Sequence, residues 1–288
     1  MNPGPLHFRM FSRALLFASL TVLGAPLLHA QETRVVFEVA GVSRSIPVTN
    51  LVAQGDKFVV KAAADGFTAN QAIPRTAASY VQGERPALVN EAIALILMEK
   101  PLDALKLLEP FLEQQRPSSG LVGNHWDAAA RAAVVAYGLI GSTEKCNALG
   151  KEISDATPEV GNDPIISLGR MLLLPFSTPL EDRLNGLASL VSENSPAEVS
   201  AYASFFRGLR LHKAKRDEEA LEAYLLIPCA YPTGGSVLNG VAEMNAAEIL
   251  AAQTGRREEA VALLTSATSY AQATPAGTEA AKRLKSLK

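Results

Sequence analysis

Aromatic residues are scarce in this chain: they make up only 6% of its 288 residues and include a single Trp. There are two cysteines and four histidines. So few thiols exclude a disulfide scaffold and any four-thiolate zinc site. His125 and His212, the two histidines beyond residue 30, are too far apart for a two-histidine metal motif. No sign of charge dominates either, since 27 Lys and Arg stand against 29 Asp and Glu, a formal charge of −2. Without a basic domain, nucleic acid is not an expected partner. The chain also lacks a Gly-x-Ser-x-Gly elbow and a phosphate loop ending in Gly-Lys-Ser/Thr. Catalytic machinery, metals and cofactors are therefore not expected.

Acidic residues are absent altogether from residues 1–30. Arg9 and Arg13 precede an apolar stretch from Ala14 to Leu28, interrupted by Gly24 and Pro26, and Leu28-His29-Ala30 closes the segment. This is the order of a secretory signal peptide cleaved after Ala30. The apolar stretch is shorter than the roughly 20 residues that span a bilayer. No Cys follows it to carry a lipid anchor. The expected product is exported, periplasmic or secreted, without stable membrane insertion. Cys146 and Cys229 would then meet an oxidising compartment. The repeat register below separates them by two helical hairpins, so both are expected as buried free thiols.

What the chain has in abundance is Ala, 46 residues, and Leu, 38. Two strong helix formers at that level point to helix packed on helix through small contact residues. Only residues 31–61 read differently. There Val35, Phe37 and Val39 alternate with Arg34, Val36 and Glu38, Gly41 to Arg44 turn into Ser45-Ile46-Pro47-Val48, and Phe58-Val59-Val60 follows Gly55-Asp56. Two or three short strands are expected, with Pro47 on an edge. Residues 62–85 show no clear period and read as a connector with one short helix. Residues 86–288 have helical period nearly throughout.

Similar units recur along this stretch. A short charged turn followed by an Ala-centred helix aligns Ala104, Ala148, Arg183, Ala220 and Ala260, separated by 35 to 44 residues. That spacing holds two helices and their turns, so each unit is a helical hairpin. In the clearest unit Gly208 and Ala220 are small where two helices approach, with Leu211, Tyr224 and Ile227 beside them. Asp217, Glu218 and Glu219 put negative charge at the positive end of the second helix, and Pro228 and Pro232 are expected to stop it.

Gly208, Leu211, Ala220, Tyr224 and Pro232 occupy the signature positions of the tetratricopeptide repeat, which this unit resembles. The unit around Ala260 departs from the pattern at Glu248 and Leu264, and the three earlier units are looser. The resemblance is best over residues 197–272. It implies a mainly α fold: an α-solenoid of about five hairpins over residues 86–288, carrying a small N-terminal β element. It further implies that the first helix of each hairpin lines a concave face. On that face lie Tyr202, Phe205, Leu209 and His212, then Ala242, Asn245, Ile249 and Ala252.

The expected function is that of a non-enzymatic module that binds a peptide or protein segment on this face, as in cell-envelope assembly. Tyr202, Phe205, Leu209, His212, Asn245 and Ile249 are the candidate groove. Two rivals stand beside it. One is a structural protein whose concave face is filled by its own chain or a second copy, favoured by further apolar residues at Val89, Ile93, Ile96, Ala133, Tyr137 and Ile140. The other is an enzyme or accessory subunit with a site near Arg34, Glu38, Arg44 and Asp56. His125 is expected to cap a helix beside a packed Trp126, Tyr231 to Ser236 to form a turn, and Lys282 to Lys288 to end a polar capping helix.

Overall fold

The computed structural model describes residues 32–39, 41–157 and 163–287. The expected signal peptide lies outside the described residues. Val35, Val36 and Phe37 are all buried in β1 (Arg34–Val39), the centre of a three-stranded antiparallel sheet between β2 (Val42–Pro47) and β6 (Ala78–Gln82). A second antiparallel sheet places β4 (Lys57–Val60) between β3 (Leu51–Gln54) and β5 (Ala72–Pro74). Pro47 ends an edge strand, where its missing N–H costs no ladder bond. The two sheets share a core that includes Val35, Phe37, Ile46, Leu51 and Phe58, with the Phe37 and Phe58 rings edge to face at 5.9 Å.

Residues 62–85 are therefore not a connector. They contribute β5 and β6, and instead of the expected α-helix they hold only the 3-10 turn Arg75–Ala77. Both strands are too short to show a period of two, and β6 takes its register from β1 far earlier in the chain. The β unit joins the helices through backbone and side-chain bonds: Val81 N donates to Val122 O at 2.8 Å, and Arg75 Nη2 to Ser119 O at 2.7 Å.

Eleven α-helices follow among the described residues. They are α1 (Ala87–Leu97), α2 (Pro101–Gln115), α3 (Trp126–Leu139), α4 (Thr143–Ala156), α5 (Pro164–Leu172) and α6 (Leu180–Ala188), then α7 (Ala197–Lys213), α8 (Asp217–Ala230), α9 (Ser236–Ala251), α10 (Arg257–Tyr270) and α11 (Pro275–Leu287). The aligned positions 104, 148, 183, 220 and 260 fall on the even-numbered helices α2 to α10. The odd-numbered helices touch in sequence, α1 to α3, α3 to α5, α5 to α7 and α7 to α9. Helix α1 also lies against α9 and α11, so the first helix packs on the last ones.

Small residues set the closest approaches. A Cβ at Gly208 would stand 2.9 Å from the Tyr224 ring, and one at Gly138 only 2.7 Å from the Gly169 carbonyl oxygen on the facing helix. In α4 the buried contacts are Cys146, Leu149, Gly150 and Ile153, whereas the aligned Ala148 is exposed. The small contact residue there is Gly150, where a Cβ would meet Ile166 at 3.1 Å.

Four further expectations are corrected. Pro228 lies inside α8, which runs on to Ala230, because a proline in the last turn displaces only the final bonds before the helix ends. Cys229 follows it and is exposed; only Cys146 is a buried thiol, its pKa raised by burial. His125 precedes α3 but makes no capping bond; Asn124 Oδ1 accepts from Asp127 N at 2.9 Å instead, while the His125 ring reaches Gly83 O at 3.2 Å. Ile140 is 38% exposed rather than part of a buried inner stripe.

Candidate functional site

Helices α3, α5 and α7 run side by side with their N-termini at one end and their C-termini at the other. At the N-terminal end Arg131 on α3 bonds Asp163, which precedes α5, and Glu198 in the first turn of α7, with Nε to Oε2 at 2.9 Å. Asp163 also caps α5, accepting from Ile165 N at 2.9 Å. Both carboxylates thus neutralise a cation and complement helix N-termini at once.

The C-terminal end is where part of the candidate groove gathers. Tyr202 and Phe205 are 2% and 0% exposed, and their rings pack with Phe206 and Tyr224 in the core. Ala242 and Ile249 are buried as well, because α9 packs against α1, α7 and α10. With α1 packed on α9 and the Tyr202 and Phe205 rings in the core, the stripe is unavailable along most of its length. Tyr202 keeps only an edge on a small cavity of 160 Å³ beside Arg85 and Gly235. Leu209, His212 and Asn245 are the groove residues that still reach an opening.

They border a cavity of 230 Å³ between α7, α9 and the end of α1, whose far wall holds Glu248 and Arg283, paired at 2.7 Å. His212 Nδ1 lies 2.7 Å from Asp217 Oδ1. Burial holds the Tyr224 phenol above its ordinary range, partly offset by a hydrogen bond with Asn245. A second cavity, also 230 Å³, shares Leu209 and the Lys213–Glu99 ion pair with the first. Its walls are Ile96, Leu139, Leu172 and Phe206, from α1, α3, α5 and α7, with Leu174 and Phe176 from the loop after α5.

Two arginines enter this second cavity. Arg210, in the last turns of α7, donates to Arg183 O at 3.2 Å and to Met171 O at 3.5 Å. Burial, with Arg183 adding, pushes its pKa down to about 10. Arg183, on α6, sits 5.5 Å from the Phe176 ring centre and its Nε is buried with no acceptor. Neither guanidinium meets a carboxylate among the described residues, whereas Lys213 and Arg216 do. Sequence periodicity pointed to Leu209 but not to these arginines or Phe176. The only local signals are Arg210 between Leu209 and Leu211, and a phenylalanine between Pro175 and Pro179.

The residues weighed for a site on the β unit do not converge. Arg34 bonds Ser45 through Nε at 2.9 Å, Arg44 lies over Phe67, and Glu38 and Asp56 are exposed. A cleft of 640 Å³ does open between the β unit and the helices, beside Arg75, Arg116, Trp126, Glu152 and Asp155. Neither His125 nor His212 borders it. Among the described residues no group of three or more His, Cys, Asp or Glu side chains is placed to hold a metal, and no helix is long and apolar enough to cross a membrane. In comparisons with protein-family models, curated proteins and solved structures, nothing matches this chain.

Proposed function

We propose that this protein is an exported, non-enzymatic interaction module, a tetratricopeptide-like solenoid of five helical hairpins that docks a protein segment where its inner helices end. The observation that carries this reading is the apolar rim of that end. Phe176 is 94% exposed, and Leu102 and Ile140, each next in sequence to a residue of the cavity wall, are 63% and 38% exposed. Large apolar side chains around one opening are unusual on a surface that meets only water. Five helix pairs with Gly or Ala at their contacts fit the repeat reading, and a stacked array offers such a rim without committing residues to chemistry. Export rests on the charge and hydropathy order of residues 1–30, and it makes an envelope protein the expected partner class.

A second reading, a structural protein filled by its own chain, draws on the burial of Tyr202, Phe205 and Ile249 and on the packing of α1 against α9. Site-specific photocross-linking separates the two. A photoreactive residue at position 176 in the native host should give a discrete protein adduct that Leu102→Ser with Ile140→Ser removes. Position 122, 75% exposed and remote in sequence from this rim, is the control. No adduct specific to position 176 would leave the structural reading standing.

A further inference from the structure

The cavity beneath Phe176 combines an aliphatic wall with two guanidinium groups that no carboxylate among the described residues neutralises. Each half of that combination needs a counterpart. Ile96, Leu139, Leu172 and Phe206 close the inner part, and an apolar cavity gains by taking apolar atoms rather than water. Arg210 and Arg183 stand at the same cavity, and between them they use few of ten N–H donors on two long carbonyl contacts. A guanidinium does not shed its proton near neutral pH, so burial leaves it charged and in want of an anion. Glu99, the one carboxylate on this wall, is already bonded to Lys213.

We infer that this cavity binds an aliphatic monocarboxylate, its chain of about six to eight carbons among the apolar side chains and its carboxylate between Arg183 and Arg210, since 230 Å³ holds about eight groups of water size. The planar guanidinium fork matches a carboxylate through paired N–H donors. A phosphate or sulfate would satisfy the arginines but leave the apolar wall empty. A neutral alcohol would fill the wall but leave the arginines unmatched. The site needs no protein at the rim, so it stands or falls separately from the docking function.

The opposing account is that the arginines only neutralise the converging helix C-termini, whose carbonyl ends carry partial negative charge. Isothermal titration of the full secreted chain with sodium octanoate decides between them, with octanol, acetate and N-acetyl-leucine as comparators. Octanoate should bind saturably below about 1 mM, acetate not at all, and octanol at least about tenfold more weakly than octanoate. Arg210→Met should weaken octanoate about tenfold or more while the unfolding midpoint stays in place, and Arg183→Met should act in the same direction. Tighter binding of N-acetyl-leucine than of octanoate would overturn the aliphatic ligand in favour of a peptide C-terminus. Equal binding of octanol, undiminished binding to Arg210→Met, or no saturable binding with a lowered midpoint in that variant would each overturn the site.

Discussion

At one end of α3, α5 and α7 a part-buried arginine has two carboxylates; at the other, two arginines have none among the described residues. Arg131 is 17% exposed in its side chain, and its partners Asp163 and Glu198 are 8% and 34% exposed. Arg183 and Arg210 line one cavity; Arg210 donates to two carbonyl oxygens, one of them Arg183's own, and the buried Nε of Arg183 has no acceptor. The difference follows from helix polarity and from what each end must do. Helix N-termini attract acids, so an arginine placed there completes a neutral cluster that seals the end. Helix C-termini attract cations, and nothing in the fold then demands a carboxylate. Charge at the sealed end is a structural element; charge at the open end is available to a ligand.

The sharpest way to break the comparison is to remove the shared cation of the sealed end. Arg131→Met leaves two acids without their partner in a partly buried site, and losing one member of such a cluster should cost about 3 kcal/mol in chemical denaturation. Adding Asp163→Asn, which retains the cap on α5, should restore part of that loss. A cost below about 1 kcal/mol for Arg131→Met would mean that the two ends do not differ in the way described.

Much of the scaffold that spaces these ends is readable in residues such as Gly208 and Tyr224, because helix contacts between sequence neighbours impose a period on the chain. The same logic put position 183 on α6 and position 260 on α10. It failed at Ala148, where two turns of α4 offer both Ala and Gly and only the neighbour Ile166 decides which faces inward. It failed again at Ile73 and Val81, whose partners lie in distant strands. Leu209, His212 and Asn245 reach an opening because repeat register describes one helix face well. Tyr202 and Phe205 do not, because their rings are buried against Phe206 and Tyr224 in the core, which periodicity alone does not mark. That Arg183 and Arg210 lack carboxylates is a property of three-dimensional neighbours and has no signature in sequence.

Both ends depend on the distance between α3 and α5, which the Gly138–Gly169 contact sets. Gly138→Ala brings a methyl group to 2.7 Å from a backbone oxygen that cannot move aside alone. Overpacking of this kind costs about 2 kcal/mol. It should also widen the cavity wall at Leu139, one residue on. Hydrogen exchange should therefore rise along α3 and α5 together. A variant as stable as the parent would place the control of spacing elsewhere.

Glu243 sharpens the contrast between a cation and an acid that, among the described residues, have no opposite charge. It is 6% exposed on α9, its Oε2 has no hydrogen-bond partner, and burial raises its pKa, partly offset by a hydrogen bond with Ser266. A carboxyl in that position can keep its proton, which an arginine cannot do. The folded state then holds a proton that the unfolded chain releases above about pH 4.3. Stability from this group is complete below that pH and falls as pH rises, until the buried carboxyl itself ionises. Glu243→Gln carries no such loss. It should match the parent near pH 4 and exceed it by about 1 kcal/mol at pH 7. Parallel stability profiles for the two proteins would refute an unpaired buried acid.

The smallest expected effect belongs to the open end. Arg210→Met removes a half-buried charge whose acceptors are carbonyls at 3.2 and 3.5 Å, and Met fills a similar volume beside Leu209 and Phe206. The lost hydrogen bonds and the relieved desolvation act in opposite directions, so the unfolding free energy should change by less than about 0.5 kcal/mol. The same change at Arg131 is expected to be several times larger, although both residues are arginines on helices that flank α5. What separates them is whether carboxylates are left behind when the guanidinium goes. If Arg210→Met proved as costly as Arg131→Met, its carbonyl contacts would be structural bonds, and the open end would be a second seal.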